Sequence, residues 1–405
     1  MKNNNFSEVW QKIKLSDLGK ILTGNTPSTK CAEYYNSNDV MFIKPDDLRE
    51  NKLNKINNSK VYISSIGAEK SRKVPSGSIL VTCIGTIGKI AIVEDDACFN
   101  QQINAIIPYK NIVDAKFLGY VILKYNYLLK AVANAPIVPI INKTQFSNIE
   151  ITIPDLETQK KIVNVLETAE KVLENRKEVI KLLDELVKSR FIEMFGNPVS
   201  NANGWEKVTC KDISSKIGSG ATPKGGNSSY KEEGISLIRS MNVHNNKFIK
   251  KDLAFIDDEQ AQKLNSVTVE EEDILLNITG ASVARCCIVP YELIPARVNQ
   301  HVAIIRSKKE RVLPTFLLHQ FINESYQRLL WDIATSGGAT REAVTKQQIE
   351  NLELIVPPIE LQNQFSYFVN RIDKLKFEME NSLEEMENNF NSLMQKAFNG
   401  ELFIR

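Results

Sequence analysis

The sequence repeats itself at an offset of about 200 residues. Residues 10–18 align with residues 205–213, an offset of 195, and residues 151–154 align with residues 354–357, an offset of 203. Matching segments between these ends keep the same order: Thr26-Pro27 with Thr222-Pro223, 42–44 with 237–239, 77–80 with 272–275, Asn100-Gln101 with Asn299-Gln300, and Phe117-Leu118 with Phe316-Leu317. Self-similarity at one long period predicts that one folded module occurs twice.

A long amphipathic helix is predicted after each module. Apolar residues recur at steps of three and four between residues 159 and 195, and glycine and proline are absent until Gly196. Such a helix spans roughly 55 Å at about 1.5 Å per residue, which is more than one small domain covers. Residues 360–398 repeat the pattern, with an extra four-residue step from Met379 to Leu383. We therefore predict an antiparallel helix pair, although each helix could instead pack on its own neighbouring domain.

The predicted fold class is α+β, with two tandem α/β domains joined by two long antiparallel coiled-coil helices in a pseudo-twofold arrangement. The predicted domains are residues 1–155, 156–196, 197–357 and 358–405. Strands are predicted over residues 40–43, 78–82, 89–93 and 103–107, and helical stretches over 115–133 and 313–333. Two related modules held by paired helices would imitate a twofold dimer and suit a two-part site on duplex DNA.

Composition narrows the class of protein. The 405 residues are 42% hydrophobic and 25% charged, which is typical of a soluble globular protein. The polar start and the lack of an apolar run near 18 residues give no sign of a signal peptide or membrane span. Six cysteines without CxxC spacing and only three histidines favour a reduced, cytoplasmic protein without a structural zinc.

Four kinds of segment are candidates for DNA contact. Threonine-proline loops offer hydroxyls and lysines to phosphates, or are ordinary surface loops; glycine-rich segments form a turn before a strand. Cys83 and Ile90 exclude a Walker A loop in the first of these segments. Amide pairs could read adenine edges or tie down a turn. The fourth kind is a loop that ends in Arg341, together with its counterpart in the first module, which ends in Lys143 and has a different sequence. The predicted DNA-binding residues are Thr23, Asn25, Thr26, Ser28, Lys30, Lys44, Thr86, Lys89, Asn100, Gln101, Asn142, Lys143, Ser219, Thr222, Lys224, Arg239, Asn242, Thr279, Ser282, Arg285, Asn299, Gln300, His301, Thr340, Arg341 and Lys346.

Charge supports DNA binding only partly, and catalytic motifs are missing. Lys plus Arg against Asp plus Glu number 19 against 14 in residues 1–155, 19 against 19 in 197–357, and 5 against 8 in 358–405. Pro357-Pro358 does not belong to the Asn/Asp-Pro-Pro-Tyr/Phe motif of amino-methyltransferases, because Val356 precedes it. Pro45-Asp46 stands too close to Glu50 and Lys52 for a nuclease hairpin, and no nucleophile–base constellation has local support. We interpret the chain as a DNA reader without catalytic residues and without a metal site.

Several motifs together resemble the specificity subunit of type I restriction-modification systems. They are the openings at Trp10 and Trp205, the Gly-x-Thr-Pro loops at Gly24 and Gly220, the Pro-x-x-Glu-x-Gln entries at Pro154–Gln159 and Pro357–Gln362, and the helix exits at residues 190–196 and 395–402. The similarity covers essentially the whole chain. The segments 136–139 and 270–273 depart from the repeat and leave individual contacts undecided.

The resemblance implies a non-catalytic subunit that recognises DNA. Each α/β domain would be a target recognition domain that binds one half of a bipartite double-stranded DNA site. The long helices would set the spacer between the two halves and dock two modification (methyltransferase) subunits. The partners would use S-adenosylmethionine, usually to methylate adenine at N6, and ATP-driven restriction subunits would use ATP and Mg²⁺; no cofactor is expected on this chain. The half-covered stripe Leu166, Leu173, Ile180 and Val187 is predicted to dock the modification subunits. A coiled-coil scaffold without DNA specificity and a self-contained enzyme remain alternatives.

Overall fold

The computed structural model describes residues 10–133, 138–336 and 342–402. Up to Phe195 the elements are β1 Gln11–Lys14, α1 Leu15–Leu18, β2 Gly19–Thr23, β3 Val40–Ile43, β4 Leu53–Ile56, β5 Tyr62–Ile63, α2 Ser65–Glu69, β6 Lys73–Val74, β7 Ile79–Thr82, β8 Ile90–Val93, β9 Ala97–Phe99, β10 Ile103–Pro108, α3 Ala115–Lys124, α4 Asn126–Val132, α5 Lys143–Ser147, β11 Glu150–Ile153 and α6 Leu156–Phe195.

The elements after Phe195 follow a closely similar order. They are β12 Glu206–Thr209, β13 Ser214–Ser219, β14 Ile235–Ile238, β15 Val243–His244, β16 Lys247–Phe248, β17 Ala254–Ile256, α7 Asp258–Lys263, β18 Thr268–Val269, β19 Ile274–Asn277, β20 Cys286–Ile288, β21 Ala296–Val298, β22 Val302–Ser307, α8 Pro314–Phe321, α9 Glu324–Thr335, α10 Lys346–Glu350, β23 Glu353–Val356 and α11 Ile359–Phe398. Among the described residues, no helix has both the length and the apolar character that crossing a membrane requires.

The chain divides into two compact units, each of which contains parts of both long helices. The first unit is Met1–Arg176 with Ser382–Arg405, and the second is Lys177–Asn381. The two 40-residue helices α6 and α11 confirm the predicted long helices. Each helix passes from one unit to the other near its middle, so the module boundaries seen in the sequence are not the boundaries of the packed units.

The sheets of the two units have matching topology. In the first unit the strand orders are β2-β10-β7-β8-β4 and β5-β3-β9-β6, and in the second they are β13-β22-β19-β20 and β17-β14-β21-β18. In both units the third strand pairs in parallel with the strand that ends at the predicted amide pair: Phe42 is opposite Cys98, and Leu237 is opposite Arg297. The units differ at β4, which joins the first sheet parallel to β8, whereas β15 and β16 form a separate hairpin. The predicted α+β duplication is thereby confirmed.

The predicted helical stretches 115–133 and 313–333 are each two helices rather than one. The first is interrupted at Tyr125, and the second at Ile322 and Asn323. Asn323 begins α9 by accepting a hydrogen bond from the Ser325 amide at 3.0 Å. An asparagine side chain that caps a new helix competes with continuation of the preceding one, and apolar periodicity alone does not register this.

Each unit builds its core where its sheet meets two segments of the long helices. In the first unit, Leu166 of α6 and Phe398 of α11 lie in one core, and Phe398 packs on Phe117 with ring centroids 5.6 Å apart. In the second unit, Phe191 of α6 packs on Phe365 of α11 at 5.5 Å. Within each unit, therefore, one helix contributes its earlier half and the other its later half, as an antiparallel pair requires.

The glutamine of each Pro-x-x-Glu-x-Gln motif is a buried clamp at the start of a long helix. Gln159 donates to the carbonyl oxygens of Ile112 at 3.1 Å and Pro154 at 2.9 Å, and accepts from the Asp114 amide at 2.9 Å. Gln362 makes the same three contacts in the second unit, with Arg311, Pro357 and Leu313. Both side chains are completely buried. The repeated motif thus serves to join each helix to the loop before α3 or α8.

Candidate nucleic-acid interface

In each unit, the threonine-proline loop contacts the amide pair. The Thr26 hydroxyl donates to Gln101 Oε1 at 2.7 Å, and the Thr222 hydroxyl donates to Gln300 Oε1 in the second unit. These residues are 75 and 78 positions apart in the sequence. The fold therefore brings the first and third predicted segments into one surface, which we call the reading edge of each unit after the DNA contact predicted from the sequence.

A glycine in each loop makes this contact possible. A Cβ atom on Gly24 would lie 2.1 Å from the carbonyl oxygen of Asn100, and one on Gly220 would lie 1.7 Å from that of Val298. Both distances are far below van der Waals contact with backbone atoms that cannot move aside. The glycines of the Gly-x-Thr-Pro pattern are therefore needed for close approach of the loop to the strand end.

The two asparagines of the amide pairs have an internal role, contrary to the prediction that they face DNA. Asn100 and Asn299 are almost completely buried. Asn100 Oδ1 accepts from the Gln102 amide at 3.1 Å, and Asn299 Oδ1 accepts from the His301 amide at 3.0 Å. These bonds shape the turn that carries the exposed Gln101 and Gln300, so the alternative reading, a residue that ties down a turn, holds for the asparagines.

The glycine-rich segments lie beside the same turns. The Cys83 amide donates to the carbonyl oxygen of Gln102 at 2.8 Å, and the Ile278 amide donates to that of His301 at 3.0 Å. Gly85, with φ of +75°, donates to the carbonyl of Pro139 at 3.0 Å. The segments therefore link the amide turn to the chain that precedes α5 and α10, and they extend the reading edge in each unit.

The basic residues of these segments differ in their freedom. Thr86 is exposed, but Lys89 is half-buried and directs its Nζ toward the Pro45 carbonyl at 3.4 Å. Ser282 and Arg285 are half-buried and line an open recess of about 420 Å³. Both units thus place a basic side chain of this segment at a recess, because Lys89 lines one of about 260 Å³ together with Thr86.

The turn after the third strand contributes Lys44 and Arg239. Lys44 is exposed, whereas the Arg239 guanidinium lies 5.4 Å from the centre of the Tyr230 ring and donates to the Asp252 carbonyl. Asn242 is completely buried and donates to the Ile249 carbonyl at 2.9 Å. The prediction that Asn242 contacts DNA is therefore wrong, because its side chain does not reach the surface.

The remaining predicted residues are mostly exposed. Asn142 caps α5 by accepting from the Gln145 amide at 2.8 Å, and Lys346 pairs with Glu350 at 3.6 Å in α10. Asn25 is half-buried; its side chain donates to the Lys70 carbonyl and accepts from the Arg72 amide. The hydroxyl of the half-buried Thr23 donates to the Asn104 side chain. Exposed positions are Ser28, Lys30, Lys143, Ser219 and Lys224. Thr340 and Arg341 lie outside the described residues.

The cysteine of the first glycine-rich segment is a core residue. Burial raises the pKa of the Cys83 thiol to about 12, and Asn104 donates to its sulfur at 3.2 Å. Burial likewise raises the pKa of Cys210 and Cys287 to about 12. A thiol with such a pKa is protonated at neutral pH and is a poor nucleophile. These side chains therefore act as small apolar groups in packing.

A family model described as "Type I restriction modification DNA specificity domain" matches residues 7–183 and 202–387. The chain belongs to this DNA specificity family. The Methanocaldococcus jannaschii type I restriction enzyme MjaIX specificity subunit is 27% identical over 98% of this chain and 94% of its own length. The Haemophilus influenzae HindI specificity subunit is 35% identical over 42% of this chain and 38% of its own length.

Solved structures show the same fold for this specificity-family chain. A chain from a type I restriction-modification system, studied for its complex assembly and conformational transition, matches with a TM-score of 0.63 at 16% identity, covering 97% of this chain and 98% of the other. The S subunit from M. genitalium matches with a TM-score of 0.54 at 14% identity, covering 98% of both. At these identities the likeness concerns the fold alone.

Sequence reasoning missed two residues that this specificity-family chain places on the reading edge. Ser240 and Met241 line the recess beside Arg285, and Met241 is 46% exposed. They belong to a 3₁₀ turn that follows the strand β14. The alignment of residues 42–44 with 237–239 ends just before this turn. The sequence therefore indicated these two residues only by their position after the aligned segment, and not by their residue type.

The apolar stripe predicted to dock partners is also corrected. Leu166 and Val187 are buried in the cores of their own units, and Leu173 and Ile180 are half-buried. On α6 of the second unit, Val179, Leu182 and Leu186 instead form an exposed apolar row, with Leu182 54% exposed, and Ile192 is exposed further along the helix. Because the sheet and both helices share each core, more of the helix circumference is covered than a two-helix coiled coil would cover.

Proposed function

We propose that this chain is the DNA-recognition subunit of a type I restriction-modification complex, and that each unit reads one half of a bipartite double-stranded site. The observation that carries the proposal is the reading edge itself. The same loop, amide turn, glycine-rich segment and strand-end turn meet in both units through equivalent hydrogen bonds, while several exposed residues differ. One scaffold with different tips is suited to two different half-sites.

The long helices are proposed to set the spacer between the half-sites and to dock two modification subunits. The exposed stripe Val179, Leu182 and Leu186 supports this, because apolar side chains in one row on a helix favour burial against a partner. We assign methylation, at adenine N6, and cleavage to the partner subunits. S-adenosylmethionine, ATP and Mg²⁺ would then be used by those subunits, and this chain would bind none of them.

Mapping methylated bases across the genome, in cells with and without this chain, tests the proposal directly. We expect a bipartite motif that disappears when the chain is removed and returns when it is restored. A coiled-coil scaffold would instead leave every methylated motif unchanged. A self-contained enzyme would show turnover when the purified chain receives only a metal ion or S-adenosylmethionine.

Salt-dependent DNA binding provides a second test, on the chain assembled with its modification subunits. Replacing Arg285 by Gln should weaken binding and reduce the dependence of log affinity on log salt by about one phosphate contact. Lys160→Gln, at an exposed position on α6, is the matched control and should change neither quantity. Equal losses for both variants would contradict a reading edge at Arg285.

A further inference from the structure

On the reading edge of the second unit, four side chains are linked one after another by hydrogen bonds, and we call this series the polar chain. Thr222 donates to Gln300 Oε1; Gln300 Nε2 is 3.1 Å from His301 Nε2; and His301 Nδ1 is 2.6 Å from the Thr279 hydroxyl. The last member, Thr279, lines the open recess together with His301, Met241 and Arg285. The polar chain therefore leads from the threonine-proline loop to the recess.

The backbone holds the recess end of this chain in place. Ile278 donates to the His301 carbonyl at 3.0 Å and accepts from the Val344 amide at 2.8 Å. Thr279 forms a bridge with Ala343, and Gly280 donates to the Glu342 carbonyl at 2.9 Å. A hydroxyl fixed by neighbouring strands on both sides meets the positional requirement for reading a base edge.

A neutral histidine has one donor nitrogen and one acceptor nitrogen, so the hydrogen bonds of the polar chain can run in either of two directions. In the first, Gln300 donates to His301 Nε2, so His301 Nδ1 carries the proton and donates to Thr279, whose own proton is left for the recess. In the second, the Gln300 amide is turned by half a rotation, His301 Nε2 donates to it, and Thr279 donates to Nδ1. Thr279 then offers only lone pairs to the recess.

The first unit has the same backbone frame without this chain. Ile84 stands where Thr279 stands and forms the equivalent bridge with Ile140. Gln102 stands where His301 stands, and its Oε1 accepts from Asn100 Nδ2 at 2.9 Å. The polar chain is therefore a property of the second unit among the described residues.

We infer that Thr279 and His301 determine specificity at one base pair of the half-site read by the second unit. Thr279 contacts the base edge, and His301 is a positioning residue that, together with Gln300, sets whether the Thr279 hydroxyl donates to the base or accepts from it. Base edges in the grooves differ in their pattern of donors and acceptors, so the identity of one hydroxyl partner discriminates between base pairs. This inference rests on the proposed function.

The test uses the full chain expressed with its modification subunits, and the readout is the methylated motif. Thr279→Val keeps the shape of the side chain and removes its hydroxyl, so discrimination at one base pair of one half-motif should fall roughly tenfold. Thr279→Ser keeps the hydroxyl and should retain the wild-type motif. His301→Leu should relax the same base pair as Thr279→Val, and His301→Gln should relax it less because a donor and an acceptor remain.

Each outcome has a defined meaning. A wild-type chain that directs no bipartite methylation would refute the proposed function. A wild-type bipartite motif that stays unchanged in Thr279→Val would refute the inference alone, as would relaxation in the other half-motif. Equal loss of methylation at all sites in Thr279→Val and Thr279→Ser would indicate a structural role and would also overturn the inference.

Discussion

Gln159 donates its side-chain amide to the carbonyl oxygen of Ile112, which lies 47 positions earlier in the chain. The contact joins the start of α6 to the loop before α3, and Gln362 repeats it in the second unit. A side chain that satisfies three backbone groups in a fully buried position fixes where the long helix begins. Each long helix is therefore tied at its start to the loop before α3 or α8 through one buried glutamine.

Replacing Gln159 by Met should destabilise the protein by about 2–4 kcal/mol. The substitution keeps the length of the side chain but leaves the carbonyls of Ile112 and Pro154 and the amide of Asp114 without partners in a buried place. Urea unfolding followed by circular dichroism measures the loss. Gln395→Met, at an exposed position on α11, is the control and should stay within about 0.5 kcal/mol of wild type.

Gly220→Ala should lower stability by about 1–3 kcal/mol and disturb the reading edge of the second unit. The new Cβ atom would overlap the Val298 carbonyl oxygen, so the loop carrying Thr222 must move. Gly218→Ala, two residues earlier, has its nearest neighbouring atom at 3.7 Å and serves as the control. Similar melting temperatures for the two variants would contradict the close approach at Gly220.

Arg306→Leu should cost about 3–5 kcal/mol of stability. Arg306 donates twice to the carboxylate of Asp273, with both distances 2.8 Å, and Asp273 is completely buried. This pairing raises the pKa of Arg306. Removing the guanidinium leaves a buried charge without its partner. Adding Asp273→Asn to Arg306→Leu removes that charge, so the double variant should be more stable than Arg306→Leu in denaturant unfolding.

Acidification should destabilise the second unit through His319. Burial lowers the pKa of His319 from 6.5 to about 4. Between these values the unfolded chain binds a proton that the folded chain does not, so stability is lost as the pH falls from about 6.5 to about 4, by up to about 3 kcal/mol.

His319→Leu isolates this contribution. The difference in melting temperature between pH 7 and pH 5 should be smaller in the variant than in wild type. Burial raises the pKa of the nearby Asp373, which acts in the opposite direction, and its effect is common to both proteins. An unchanged pH dependence in His319→Leu would show that other groups govern the acid response.

Leu182→Glu should weaken binding of the modification subunits at least tenfold without lowering the melting temperature. The side chain is exposed on α6, so a charge there costs little in the free chain but is buried on docking. Co-purification and titration calorimetry measure the effect. Lys181→Glu, at the neighbouring exposed position, distinguishes loss of the apolar contact from a general effect of negative charge.

The strands and long helices agree closely with the patterns in the sequence, whereas several site residues do not. Residues 40–43 form β3 as predicted, because alternating and β-branched residues report local burial directly. Asn242 and Asn299 look like any polar loop residue in the sequence. Their burial follows from contacts with Ile249 and with the strand end at Ile238, which the sequence order does not reveal.

The sequence by itself determined that one module occurs twice and that a long helix follows each copy, because a repeat and an apolar period are properties of neighbouring residues. Only the tertiary structure decided which polar groups face outward and which apolar stripe is free. Thr26 meets Gln101, and Thr279 meets His301, across strand pairings between distant parts of the chain. Burial and hydrogen-bond partners depend on those pairings, and so they exist only once the chain has folded.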